Sequence, residues 1–311
     1  MDLLSNVLTL SGVSGTLGAR IEAADSWGVR WEDVRGSAFY AVTSGTAWLG
    51  LADREPILMM PGDVVLLPSG SPHSLTSDAG SAAASCDAGA AEHARVTGGL
   101  LRFGTGAVQT HILGAGYRHD PLVDSQILAL LPEVVHIRGD NGGSCLGDTV
   151  RLLARELASP QIGTEVVLNS LVDVLLVQLL RAWLATRPSE AEGTILGVLG
   201  DPLLSVALTR LHSSPERPWT TELLAAELAV SRATLARRFA ARLGESPGAY
   251  LTRLRMDLAA VRLRDGDDPL EAIAASVGYT SVYAFNRAFS RARAVAPGRF
   301  RAQVRSAGRV A

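Results

Sequence analysis

The C-terminal third of this chain contains one short unit twice, and that repetition limits its fold more than any composition figure does. The first copy runs Ser231, Arg232, Ala233, Thr234, Leu235, Ala236, Arg237, Arg238, Phe239, with Pro247 and Tyr250 beyond it. The second runs Ser281, Val282, Tyr283, Ala284, Phe285, Asn286, Arg287, Ala288, Phe289, with Pro297 and Phe300 beyond it. From the serine onward, matching positions are fifty residues apart. Upstream, Leu224, Ala225 and Ala229 match Ile273, Ala274 and Gly278 at an offset of forty-nine, so the second turn carries one extra residue.

Each copy reads as two helices joined by a short turn. In the first, Thr220 can cap a helix and Glu222 lies in its first turn, where negative charge is favoured. Leu223, Leu224, Ala225 and Leu228 supply an apolar face at helical spacing, Ala229 and Val230 make the turn, and Ser231 caps the next helix. Leu235 and Phe239, four apart, then face inward, leaving Arg232, Ala233, Ala236 and Arg237 on the outer face. The second copy follows suit. Pro269 lies near its start, Ile273 and Val277 point inward, Gly278 and Tyr279 turn, and Ser281 caps. Phe285 and Phe289 face inward, so Val282, Tyr283, Asn286 and Arg287 face out. Between the copies, Ser246 and Pro247 open a linking helix with the stripe Leu251, Leu254, Leu258, Val261, stopped by Gly266. It should hold about 17 residues and span roughly 25 Å. In a helix-turn-helix the second helix lies in the DNA major groove, and successive grooves on one face recur at roughly 34 Å.

The bland alternative is an all-α bundle whose arginines are only solvated surface. Charge argues against it. Residues 201–311 hold 17 Arg and 10 acidic residues, a net of +7, whereas residues 1–200 hold 12 Arg and 21 acids, a net of −9. The chain's overall −2 therefore hides a basic C-terminal domain on an acidic body, and basic domains gain affinity for DNA by releasing counterions from phosphates.

These residues resemble the AraC family of bacterial transcription regulators. The family pattern appears in Ser231 to Phe239, Gly244 to Pro247, Tyr250 and Leu251, Arg255 and Met256, Ala274 to Tyr279, Ala284 to Phe289, and Pro297. The resemblance implies two helix-turn-helix subdomains joined by a helix. Their base readers would be Arg232, Ala233, Ala236 and Arg237, then Val282, Tyr283, Asn286 and Arg287. Two departures stand out. The family usually has a glycine near Ala294, and Ala233 and Ala236 are small. Arginine paired with guanine discriminates by roughly 1–3 kcal/mol, whereas alanine can only touch a thymine methyl. Reading should therefore rest on Arg232, Arg237, Asn286 and Arg287.

Residues 27–76 break into short alternating runs separated by Gly, Pro and Asp turns, as in a small β-barrel. Gly62 to His73 fits the second cupin motif: glycine, five residues, Pro68, one residue, Gly70, two residues, histidine. The N-terminal part thus resembles the cupin-like sensor half found in many AraC-family proteins. Metal-dependent cupins add a first motif with His-x-His, but the corresponding stretch from Phe39 to Trp48 has no histidine. Catalytic metals generally need three protein ligands. His73 is therefore expected to be structural or ligand-lining, with a metal ligand the lesser reading, and no metal, cofactor or catalytic residue is expected. Trp31, Phe39, Tyr40, Trp48 and His73 are the candidate lining of a small-effector pocket, with core packing the alternative for each aromatic. The scattered histidines 93, 111, 119 and 136 show no metal-ligand spacing.

Residues 77–99, rich in Ala, Ser, Gly and Asp, read as a loop holding Cys86; Cys145 follows Gly142, Gly143 and Ser144. Two cysteines without a signal peptide are not a secreted disulfide framework, so two reduced thiols are expected, with a redox switch as the sharper alternative. From Gly147 to Leu184 the pattern is strongly helical, and Val166 to Leu180 is too apolar for a surface helix. With Asn169, Asp173 and Gln178 interrupting, it also reads as too short for a membrane span. A helical hairpin that pairs with a second copy is the most economical reading, and family resemblance also places dimerisation here.

The expected fold class is α+β. A cupin-like sensing barrel should occupy residues 1–140, a helical dimerisation segment 144–188 and a linker 189–204. An all-α DNA-binding domain should follow at 205–305, with helix-turn-helix 1 at about 221–242, the linking helix at about 247–264 and helix-turn-helix 2 at about 270–292. The expected function is that of a cytoplasmic, homodimeric, sequence-specific transcription regulator, not an enzyme. It would bind double-stranded promoter DNA, respond to a small molecule or redox signal, and contact RNA polymerase if it activates. No membrane partner is expected. The rival readings are a cupin-type metal enzyme with a DNA-binding appendage and a constitutive dimeric DNA binder with no ligand.

Overall fold

The computed structural model describes residues 3–32, 34, 36–86, 89, 99–118, 127–139, 143–187, 194–198 and 200–307. His93, His119, most of the 87–98 loop and linker residues 189–193 lie outside the described residues. The chain divides by contact into two units: Val13–His119 with Leu131–Pro188, and Met1–Gly12 with Asp120–Leu130 and Ser189–Ala311.

In the first unit, β1 (Ser14–Ala24), β2 (Gly28–Trp31), β3 (Ser37–Ser44), β4 (Ala47–Leu51), β5 (Ile57–Met59), β6 (Val64–Leu67) and β7 (His73–Thr76) follow one another. The two-residue β8 (Ala84–Ser85), β9 (Leu100–Phe103), β10 (Val108–Arg118) and β11 (Val135–Ile137) complete the described strands. They form a six-stranded sheet, β11-β6-β3-β10-β1-β9, and a five-stranded sheet, β5-β4-β7-β2-β8. Neighbours run antiparallel except β1 with β9 and β2 with β8, which are parallel. Period-two alternation sends Ile21, Val42, Val65 and Ile112 of one sheet toward Val29, Leu49, Met59 and Leu75 of the other, and these fully buried side chains form the core.

Two helices cover the outer face of the six-stranded sheet: α2 (Gly143–Ala158) and α3 (Thr164–Thr186). The latter is 23 residues long, long and apolar enough by length and composition to cross a membrane, so the expectation of too short a segment is corrected. Its polar interruptions have a local purpose. Asp173 Oδ1 accepts from Gly15 N at 2.7 Å and Asn169 Oδ1 from Leu17 N at 3.4 Å, and Tyr117 Oη donates to the Val172 carbonyl at 2.8 Å. β1 can come this close because residue 15 is glycine; a Cβ there would lie 2.4 Å from Val172 Cγ1.

The second unit is helical. Here α1 (Leu3–Ser11) packs on α5 (Pro202–Ser213) and the linking helix, so residues 3–12 group by contact with this unit. The four-residue α4 (Ile195–Val198) precedes α5. Then come α6 (Thr221–Glu227), α7 (Arg232–Leu243), α8 (Pro247–Asp265), α9 (Leu270–Ser276), α10 (Val282–Arg293) and α11 (Pro297–Ala307). Thr220, Ser231, Ser246 and Ser281 each accept a helix-opening N–H with the side chain, as the capping argument requires. α8 serves both repeats. Tyr250 near its start meets Phe239 edge-on at 6.1 Å, while Met256, Ala259 and Leu263 join Ile273, Val277, Phe285, Phe289 and Phe300.

Left-handed backbone recurs at matched points of the two copies. Gly278 (φ 81) corresponds to Ala229 (φ 53) in the turn, and Gly244 (φ 70) to Ala294 (φ 55) after the second helix. Each copy therefore has glycine at one of these positions and a strained alanine at the other.

Candidate nucleic-acid interface and barrel site

The second helices of the two repeats, α7 and α10, bury only Leu235 with Phe239 and Phe285 with Phe289, respectively. Seven of the eight anticipated base readers lie on their outer faces, but unequally exposed. Arg232, Ala233 and Arg237 are exposed and Ala236 is half-buried. Tyr283, at 72 % exposure, and Arg287 stand out from α10, with the Arg287 guanidinium 5.9 Å from the Tyr283 ring. Asn286 is half-buried, and Val282 leans against the apolar cluster beneath.

One contact was not foreseen in the sequence reading. Glu222 of α6 pairs with Arg232 Nε at 2.7 Å, both side chains being mostly exposed. A hydrogen bond to its own backbone N–H, with Arg232 nearby, lowers the Glu222 pKa. The pair links the start of α7 to the first turn of α6. Glu222 had been noticed only as a first-turn acid; its reach across to the next helix depends on the turn's three-dimensional path.

The barrel candidates separate by strand face. Trp31, Tyr40 and His73 converge: Trp31 stacks on His73 at 5.3 Å, Tyr40 lies 5.7 Å from Trp31, and Tyr40 Oη bonds His73 Nε2 at 2.7 Å. His73 Nδ1 faces the Ser71 carbonyl at 2.7 Å, and burial pushes the His73 pKa down to about 4. Phe39 is not with them. As Tyr40's neighbour on β3 it faces the other way, edge-on to Tyr117 under α3, which corrects its assignment to the pocket. Trp48 alternates with the buried Ala47 and Leu49 and so lies on the outer face of its sheet, a second correction. Cys86 is half-buried against the barrel core, Cys145 is exposed, and both are thiols. Among the described residues no group of three His, Cys, Asp or Glu is placed to hold a metal.

A cupin family model matches residues 2–185 and a helix-turn-helix domain model residues 224–303. An AraC-like transcription regulator of Streptomyces antibioticus is 37 % identical over 303 residues, covering 97 % of this chain and 98 % of that protein. The chain belongs to the AraC-like transcription regulators. A second such regulator, from Streptomyces lividans, is 37 % identical over 306 residues, covering 97 % of this chain and 98 % of its own. Among solved structures, the DNA-binding domain of the global transcriptional factor AdpA in complex with a target DNA is 31 % identical, with a TM-score of 0.33. It covers 34 % of this chain and 96 % of its own.

As an AraC-like regulator with an N-terminal cupin domain, the protein is a DNA-binding transcription regulator of mixed α+β architecture. In this AraC-like chain Arg232 pairs with Glu222 on the first repeat and Arg287 lies beside Tyr283 on the second, while Arg237 is also exposed.

Proposed function

We propose that the protein is a cytoplasmic homodimer that reads promoter DNA with both recognition helices at once and alters transcription in response to a small effector sensed by its barrel. What carries the reading is the repeated presentation on α7 and α10, where two buried anchors four residues apart leave arginines exposed on the opposite face. Arg232, Arg237, Asn286 and Arg287 supply the base hydrogen bonds, while Ala233, Ala236, Val282 and Tyr283 make apolar contacts such as those to thymine methyls. Trp31, Tyr40 and His73 would line the effector site. The exposed Val166, Val167 and Val174 of α3 suit a face that pairs with the same face of a second copy. Effector binding must favour one arrangement of the DNA-binding domains by differential affinity. RNA polymerase is a partner if the protein activates, and Cys86 and Cys145 are the groups through which an oxidant would act.

The test is discrimination. Arg287→Ala should cost specific binding at least about 1 kcal/mol and relax the preference at one base position. Undiminished discrimination between selected and random duplexes would overturn the assignment of α10.

A further inference from the structure

Three segments far apart in sequence meet at the guanidinium of Arg255, midway along α8. Its Nε donates to the Pro215 carbonyl at 2.7 Å, and Nη2 donates to the Arg217 carbonyl at 2.8 Å. On its other side the guanidinium carbon lies 5.8 Å from the centroid of the Tyr279 ring. The contacts extend in both directions. Arg217 pairs with Glu227, the last residue of α6, at 2.5 Å, and its own guanidinium lies 4.1 Å over Trp219. Tyr279 sits edge-on to Phe285 at 5.9 Å, and Phe285 is a fully buried anchor of α10. Gly278 makes room for the junction, because a Cβ there would fall 2.6 Å from both Arg255 Nη2 and the Glu216 carbonyl oxygen.

We propose that Arg255 is a positioning residue for DNA recognition: it sets the offset between the two recognition helices, and with it the base-pair spacing the protein accepts between its two contacted segments. The proposal rests on the reading above that both helices engage one duplex. The first repeat meets α8 at Tyr250, which lies edge-on to Phe239 and whose hydroxyl bonds His212. The second meets it through Met256, Ala259 and Leu263 and through the buried pair of Asp257 with Arg293 of α10. The apolar contacts are non-directional, and the His212–Tyr250 bond and the Arg293–Asp257 pair each tie α8 to one side, whereas Arg255 touches both repeats. A forked guanidinium bound to two carbonyls is directional and tolerates only a few tenths of an ångström. One inserted base pair displaces the second segment by about 3.4 Å and rotates it by about 35°. A junction held by Arg255 cannot follow that displacement, whereas one without its fork, held on the first-repeat side by the Tyr250 contacts, can partly follow it.

The experiment uses the full chain and a duplex selected by the wild-type protein from random-sequence DNA. Versions with one base pair inserted or deleted between the two protected segments are then compared. Wild type should lose about tenfold or more in affinity on each change of spacing, and Arg255→Ala less than about threefold. Penalties for base substitutions within each segment should be unchanged in the variant. Arg255→Lys keeps the charge without the fork and should fall between. If Arg255→Ala proves unfolded by thermal melting, Arg255→Lys decides. A wild-type spacing penalty retained in the folded variant overturns the proposal, as does an equal loss of base discrimination in both segments. A single protected segment with the wild-type protein would overturn the two-helix reading itself, which separates that failure from this one.

Discussion

Tyr40 donates its phenolic proton to Nε2 of His73 across 2.7 Å inside the barrel. The direction follows from the other ring nitrogen. Ser71 offers His73 Nδ1 only a carbonyl oxygen, so Nδ1 must carry the hydrogen and Nε2 must accept. The imidazole is thus neutral, with both nitrogens engaged. Because burial holds its pKa near 4 while an unfolded histidine titrates near 6.5, the unfolded chain binds more protons across that window. Stability contributed by neutral His73 is therefore full above pH 6.5 and falls as pH drops toward 4. Lowering pH from 7 to 5 should cost about 2 kcal/mol through His73. His212, also held near 4 by burial, adds a similar dependence in the helical unit. Urea unfolding of wild type and His73→Gln isolates the first contribution; equal pH slopes in the two proteins would refute it.

The contact between β1 and α3 should be intolerant of small changes. Gly15→Ala drives a Cβ into Val172 and should destabilise the barrel unit by about 1–3 kcal/mol. Tyr117→Phe, which removes only the donor to the Val172 carbonyl, should cost about 1 kcal/mol. Denaturant melts of the two variants test the ranking, and a neutral Gly15→Ala would show that the helix does not lie where described.

Ala294 occupies a left-handed backbone position that its counterpart Gly244 occupies without strain. Ala294→Gly should stabilise the helical unit by about 0.5–1 kcal/mol, since relief of the steric cost exceeds the added freedom of the unfolded chain. A lowered melting temperature would contradict that account.

Glu222 brings negative charge to the surface proposed to face phosphates, and it pairs with Arg232. Glu222→Gln should therefore raise affinity for random DNA several-fold while weakening discrimination at the base Arg232 reads. Electrophoretic mobility shifts on random and selected duplexes give both quantities. Unchanged discrimination would mean that Arg232 needs no orienting partner.

What could be read from the chain alone follows the range of the forces involved. Helix caps at Thr220, Ser231, Ser246 and Ser281 and the paired anchors of α7 and α10 are local, and the sequence reading located them. The long strand β1 was missed. Its Gly- and Ala-rich sequence has little strand propensity, and it is extended because β10 and β9 hold it on both edges. Phe39 and Trp48 were grouped with the pocket by residue type, whereas strand phase sends them to outer faces. Arg255 belonged to the recognised pattern, yet its carbonyl partners lie 38 and 40 residues away and only the fold brings them together.

If two recognition helices read one duplex, selection from random-sequence DNA by the full protein, followed by footprinting, must reveal both contacts. The expected result is an enriched sequence with two protected segments about one helical turn apart, both lost in a variant carrying Arg237→Ala and Arg287→Ala. Selection that enriches no sequence, or a double variant that still protects both segments, would contradict it.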